Sequence, residues 1–221
     1  MPIARVGQFL ETDDLGIAKS LGVESSQMRA CIAAINERRI AGVFGSPVFG
    51  FLDDNLDFLG EVRGIRQVWF WEIALKRIDK LYEQPKLEFF GIHDKRPPID
   101  FSRFKHLTDV VWHPIRGDSG LAQLPQLARL DIWRLKNQTK DFSDLSLPKS
   151  LRKLEFNWCN QESSSSLPQM PALEDLQFHY CLRIPAQAGP QFRVMPGRDS
   201  GGCRPPFRLM PARIPGHAGR G

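Results

Sequence analysis

Six segments of this 221-residue chain repeat one short pattern, and that pattern limits what the chain can fold into. They read IRQVWFW from Ile65, QPKLEFF from Gln84, LTDVVWH from Leu107, LARLDIW from Leu127, LRKLEFN from Leu151 and LEDLQFH from Leu173. Apolar residues stand at positions 1, 4 and 6 of each segment, with Gln84 the one exception, and positions 3 and 5 are mostly polar. A weaker copy begins at Ile40. Apolar residues two apart with polar neighbours are the mark of a short strand with one buried face. The starts lie 19, 23, 20, 24 and 22 residues apart. Antiparallel hairpins would place strands every 8–12 residues or so. Doubly wound units would need about 30 or more, with a long helix between strands. The spacing leaves room for a strand, a turn and one short return segment, and so predicts parallel strands in which each unit covers the apolar face of its neighbour.

On these residues, and on return segments such as GLAQLPQLARLDI and SSLPQMPALEDLQF, the chain resembles the leucine-rich repeat family over about 40–184, and within it the short bacterial, internalin-like class of about 22 residues per repeat. The resemblance implies an α/β horseshoe: a solenoid with parallel strands on a concave face and short return segments on the convex one. In the family, position 9 is Asn or Cys turned inward to bond the turn. Cys159 and Cys181 stand there in the last two repeats, whereas Ile73, Ile92, Ile115 and Leu135 fill it earlier, a departure from the family's pattern.

The ends read differently. Residues 24–38 carry Met28, Cys31, Ile32 and Ile35 at helical spacing, with Ser25 or Ser26 as N-cap, and predict a helix capping the N-terminal segment 1–39. Residues 185–221 hold six Arg, one acid, seven Pro and seven Gly. The whole net charge of +5 sits there, since residues 1–184 balance at 24 basic and 24 acidic side chains. Such a composition predicts a disordered tail, read either as an arm for nucleic acid or an anionic surface or as the out-of-frame translation of GC-rich sequence. With no closing element before it, an exposed apolar edge is expected at Leu173, Leu176 and Phe178, and with it self-association.

No stretch reaches the roughly 18 apolar residues of a membrane span, and no apolar signal segment opens the chain. Four Cys without a CxxC pair point to a reducing, cytoplasmic setting and to buried structural thiols. No HExxH, GxSxG or P-loop pattern occurs, and no cofactor or metal is expected. His93, Asp94 and His113 are the only candidate acid–base cluster, and a flat face offers them no pocket, so no enzyme is expected.

The resemblance implies instead a protein-binding module that meets its partner through positions 3, 5 and 7 of the concave face. Position 7 supplies Trp71, Phe90, His113 and Trp133; position 5 supplies Trp69, Glu88, Asp131 and Glu155; position 3 supplies Lys86 and Arg129. Aromatic rings beside arginine are the usual substance of interface hot spots. The same rings could instead pack on one another, or on a folded-back N-terminal segment. Lateral ion pairs are expected between Lys86 and Asp109, Asp109 and Arg129, and Lys153 and Asp175.

Overall fold

The computed structural model describes residues 3–163 and 165–181 and the backbone of 192–195. Eleven strands form one mixed sheet and follow one another across it in chain order. They are β1 (Ala4–Val6), β2 (Phe9–Thr12), β3 (Ser20–Gly22), β4 (Gly42–Gly45), β5 (Gln67–Phe70), β6 (Phe89–Ile92), β7 (Asp109–Trp112), β8 (Arg129–Trp133), β9 (Lys153–Asn157), β10 (Asp175–His179) and β11 (Phe192–Met195). β1, β2 and β3 pair antiparallel, and every pair from β3 to β11 is parallel.

The expected α/β horseshoe of leucine-rich repeats with a helical cap is therefore corrected to a mixed sheet with, among the described residues, one α-helix, α1 (Met28–Arg38). The helix closes no open end. It is the crossover from β3 to β4, and the N-terminal end of the sheet continues as the antiparallel strands β1 and β2, which turn at Gly7 with φ +62°. α1 starts four residues later than expected, behind a 3-10 turn at Ser25–Gln27. Ser25 does not cap it; its hydroxyl donates to Asp53 at 2.6 Å and accepts the N–H of Leu52 at 2.8 Å. Cys31, Ala34 and Ile35 form the buried stripe.

The four returns from β4 to β8 form no α-helix. They make 3-10 turns instead, at Asp57–Gly60, Asp79–Glu83, Phe101–Arg103 and Leu121–Gln123. These press Phe58, Leu59, Leu81, Phe101 and Leu121 against the inner face of the sheet.

The second repeat starts three residues later in the sheet than its sequence pattern suggests. Phe90, not Phe89, pairs in register with Val68 and Val110, so the second repeat is LEFFGIH from Leu87. Position 1 is then Ile65, Leu87, Leu107, Leu127, Leu151 and Leu173, without Gln84, and its starts lie 22, 20, 20, 24 and 22 apart. Leu87 and Phe89 had satisfied the template in the wrong frame, because apolar residues also stand at 89 and 90. Gln84 belongs to the return segment, where its amide donates to the Leu59 carbonyl at 2.7 Å.

Position 4 forms one inward column (Val68, Phe90, Val110, Leu130, Leu154 and Leu176) and position 6 another, from Phe70 to Phe178. Ring pairs tie the columns to the returns: Phe51 lies 4.7 Å from Phe70, and Phe142 lies 4.8 Å from Phe156.

The expected bare edge at β10 is also corrected. Leu176 and Phe178 are buried, and β11 pairs along β10 inside the segment expected to be disordered. The remaining residues of that segment lie outside the described residues. Among the described residues no helix is long and apolar enough to cross a membrane.

Leu130 is fully buried at the centre of its column. Leu130→Ala should cost about 2–5 kcal/mol of unfolding free energy in a urea titration, because it opens a cavity between packed repeats.

Candidate functional site

The pleat that sends positions 4 and 6 inward turns positions 3, 5 and 7 to the other face. With the corrected register, position 7 reads Trp71, His93, His113, Trp133, Asn157 and His179, and position 5 reads Trp69, Gly91, Val111, Asp131, Glu155 and Gln177. Position 3 reads Gln67, Phe89, Asp109, Arg129, Lys153 and Asp175.

Of the expected contact residues, Trp69, Trp71, His113, Arg129, Asp131, Trp133 and Glu155 lie on this face. Phe90 does not; it is a core residue, 1% exposed. Lys86 lies in the turn before β6, and Glu88 is one residue outside that strand. Glu88 takes a bidentate pair from Arg66 at 2.8 and 2.6 Å, and its carboxyl is held below the usual carboxylate range by that hydrogen-bonded guanidinium.

The N-terminal part of the face is covered by the chain itself. The loop between β2 and β3 crosses it, and the buried Gln67 clamps that loop. Its Oε1 accepts the N–H groups of Ile17 at 2.7 Å and Ala18 at 3.1 Å, and its amide donates to the Leu15 carbonyl and the Ser20 hydroxyl. Gly16 is required at this crossing: at φ +123°, a Cβ would sit 2.6 Å from Gln67 Oε1 and 2.9 Å from the Phe89 ring. Beside the crossing, Trp69 and Trp71 meet at 5.8 Å, Trp71 stacks on Phe44 at 6.0 Å, and Trp69 tilts over Phe89 at 5.4 Å. Gly91 leaves room for Trp69, which a Cβ there would approach to 2.8 Å.

Farther along, five rings form a continuous row. His93 and His113 are 4.6 Å apart, His113 and Trp133 5.6 Å, Trp133 and Trp158 5.0 Å, and Trp158 and Tyr180 4.8 Å with planes 6° apart. Trp158 and Tyr180 join from position 8, one residue past the strand, where φ is +52° and +57°. The sequence reading missed both. The available signal was an aromatic residue directly before Cys159 and Cys181 in successive repeats.

Next to the row runs a charged network. Arg129 reaches Asp131 at 3.2 Å and Glu155 at 3.7 Å, and Lys153 reaches Glu155 at 2.7 Å and Asp175 at 3.7 Å. The Lys153–Asp175 pair was expected. The other expected pairs give way because Arg129 turns toward the two carboxylates at position 5, and Lys86 is off the face. Burial and the neighbouring Glu155 charge push the Asp131 carboxyl up to about 6, against the pull of Arg129.

The structure brings His93, Asp94 and His113 together. His93 Nδ1 is 2.9 Å from Asp94 Oδ1. Burial, aided by the adjacent His93, drives His113 down to about 3, and burial lowers His93 as well. Both imidazoles are therefore neutral at pH 7. Among the described residues no group of three or more side chains is placed to hold a metal ion.

A buried ion pair went unnoticed in the sequence. Arg96 and Asp118 are nearly inaccessible and bond through both guanidinium nitrogens at 2.7 Å. Asp118 also accepts the Trp112 indole N–H at 2.9 Å and the Ile99 N–H at 2.9 Å, while Arg96 donates to the His113 carbonyl at 3.1 Å. These bonds outweigh burial and hold the Asp118 carboxyl low. The pair fixes the two turns on either side of β7, and with them the backbone of His113.

No family model matches the chain, and neither does any curated protein or solved structure. The resemblance to leucine-rich repeats is thus neither supported nor opposed by comparison.

Two outcomes test this description. Asp118→Asn should cost about 3–5 kcal/mol in chemical denaturation, since it strands a buried guanidinium. His113 titrates far lower folded than its unfolded value near 6.5, so its contribution is complete above pH 6.5 and is lost as pH falls toward 3. Asp131 works in the opposite sense, favouring the fold at low pH and losing that contribution as pH rises through about 6. Between pH 7 and pH 5, wild type should therefore lose about 2 kcal/mol more stability than His113→Asn, in which the Asp131 contribution is retained.

Proposed function

We propose that the chain is a non-catalytic protein-binding module whose partner docks on the outward face of the sheet, over Trp133 and the Arg129–Glu155 network. The observation that carries this reading is the row of contacting rings that runs from the buried His113 through the half-buried Trp133 and Trp158 to the exposed Tyr180, beside an exposed arginine. Large planar side chains already held by their neighbours lose little conformational freedom on contact, and a charged rim orients the partner. Trp69 and Trp71 extend the surface toward the N-terminal crossing. Phe90, Lys86 and Glu88 are not part of it.

The state of two of its histidines supports the non-catalytic reading. His93 and His113 are neutral and half-buried to buried, and they are packed ring to ring rather than aimed at a shared point.

The test is affinity capture with the full chain as bait, followed by affinity measurement on the captured protein. Trp133→Ala should weaken binding by more than about tenfold, or ~1.4 kcal/mol, while the melting temperature moves little. Equal binding by wild type and a Trp71→Ala/Trp133→Ala variant would overturn the proposal. So would unfolding of Trp133→Ala, which would make the row part of the core.

A further inference from the structure

Cys159 and Cys181 occupy the same position in successive repeats, two residues past the paired Asn157 and His179. The register persists beyond the strand ends, since the Trp158 N–H bonds the His179 carbonyl at 2.9 Å. Equivalent positions on adjacent parallel strands stand roughly 4.8 Å apart, inside the roughly 4.4–6.8 Å Cα window that a disulfide accepts. Both side chains turn to the same side, each with its sulfur 3.6 Å from the carbonyl two residues before it, Asn157 or His179. The two sulfurs are also placed alike toward the preceding strand, Cys181 Sγ lying 3.6 Å from the Phe156 carbonyl and Cys159 Sγ 4.0 Å from the Ile132 carbonyl. Cys159 is buried and Cys181 is half-buried, so solvent reaches one sulfur of the pair more readily.

We propose that Cys159 and Cys181 form a reversible oxidation site, closing to an intramolecular disulfide when a hydroperoxide reaches Cys181. The neighbouring Cys159 thiol lowers Cys181 below its ordinary value, whereas contact with Cys181 and burial raise Cys159. Cys181, the sulfur that solvent reaches, is the attacking thiolate, and the buried Cys159 is the resolving thiol. In the first step the Cys181 sulfur attacks the peroxide, an S–O bond forms, the O–O bond breaks and the leaving oxygen departs as hydroxide or alkoxide. In the second, the Cys159 sulfur gives up its proton and displaces hydroxide from the sulfenic acid, forming the S–S bond and releasing water. The protein loses two electrons and two protons, and the hydroperoxide is reduced to water or alcohol.

The bond would staple β10 to β9 and close the return segment between them. It sits directly behind Trp158 and Tyr180, the last stacked pair of the aromatic row. Oxidation therefore acts on the end of the proposed binding face. The disulfide assignment itself does not depend on that reading, because its readout is chemical.

The native full chain is treated with hydrogen peroxide, blocked with N-ethylmaleimide and mapped by peptide mass. A cross-linked peptide joining 159 to 181, 2 Da lighter than the sum of its parts and split by dithiothreitol, is the expected product. In Cys159→Ser, dimedone should label Cys181 as its sulfenic acid; in Cys181→Ser, Cys159 should stay unlabelled. Absence of the 159–181 cross-link from the native chain when the urea-unfolded chain forms it would overturn the proposal. Equal labelling of Cys159 in Cys181→Ser would overturn the assignment of Cys181 as the attacking sulfur. A Cys203→Ser chain should give the same cross-link in the same yield, and loss of the cross-link there would also count against the site.

Discussion

The structure depends on lateral stacking of identical inward positions from one strand to the next. A short strand with two inward residues cannot bury them alone; it does so only when its neighbours present the same positions at the same height. Parallel in-register pairing from β3 to β11 meets that condition. Once Val68, Phe90, Val110, Leu130 and Leu154 are in line, the return must bring the chain back one strand over in 16 to 21 residues. From β4 to β8 each return does so through a 3-10 turn that adds its own apolar residues to the core. The outward columns follow from the same pairing, which is why rings contributed by separate repeats end up in contact.

The turns that leave the strands are made in two ways. At position 8, Glu72, Arg134, Trp158 and Tyr180 adopt positive φ, which turns the chain sharply off the strand. In the second and third repeats that position holds Asp94 and Pro114, and proline cannot take a positive φ. There the buried Arg96–Asp118 pair spans the two turns and bonds their backbone instead. An ion pair this deep contributes little net stability over an apolar substitute, but neither partner can be removed alone. Its place in the fold is where the repeating turn fails.

Much of this was legible in the sequence, for a physical reason. Burial on one face imposes alternation, and a parallel return imposes spacing, so strands at β5 and β7–β10 followed from the pattern. The second repeat was misread because Leu87, Phe89 and Phe90 allow two frames, and only the pairing of Phe90 with Val68 and Val110 chooses between them. The antiparallel strands β1 and β2 gave no signal because they are short, and β1 is exposed throughout. β11 was hidden by the composition around it: the alternating residues 192–195 are four among many Pro, Gly and Arg. The Gln67 clamp and the Arg96–Asp118 pair join residues 47–52 and 22 apart through side-chain geometry, which no local pattern encodes. The capping helix was found but misplaced in role, since a helical stripe shows that a helix forms, not which strands it connects.

The central claim is that one register sets both the core and the face opposite it. Side-chain NOEs in the folded protein test it most directly. The account predicts contacts from the Phe90 ring to Val68 and Val110, and a separate chain of contacts from His93 to His113 and from His113 to Trp133. Contacts from Phe90 to Trp71 or His113, with His93 outside the row, would contradict it, because they would place the second repeat three residues out of line and dismantle the proposed face.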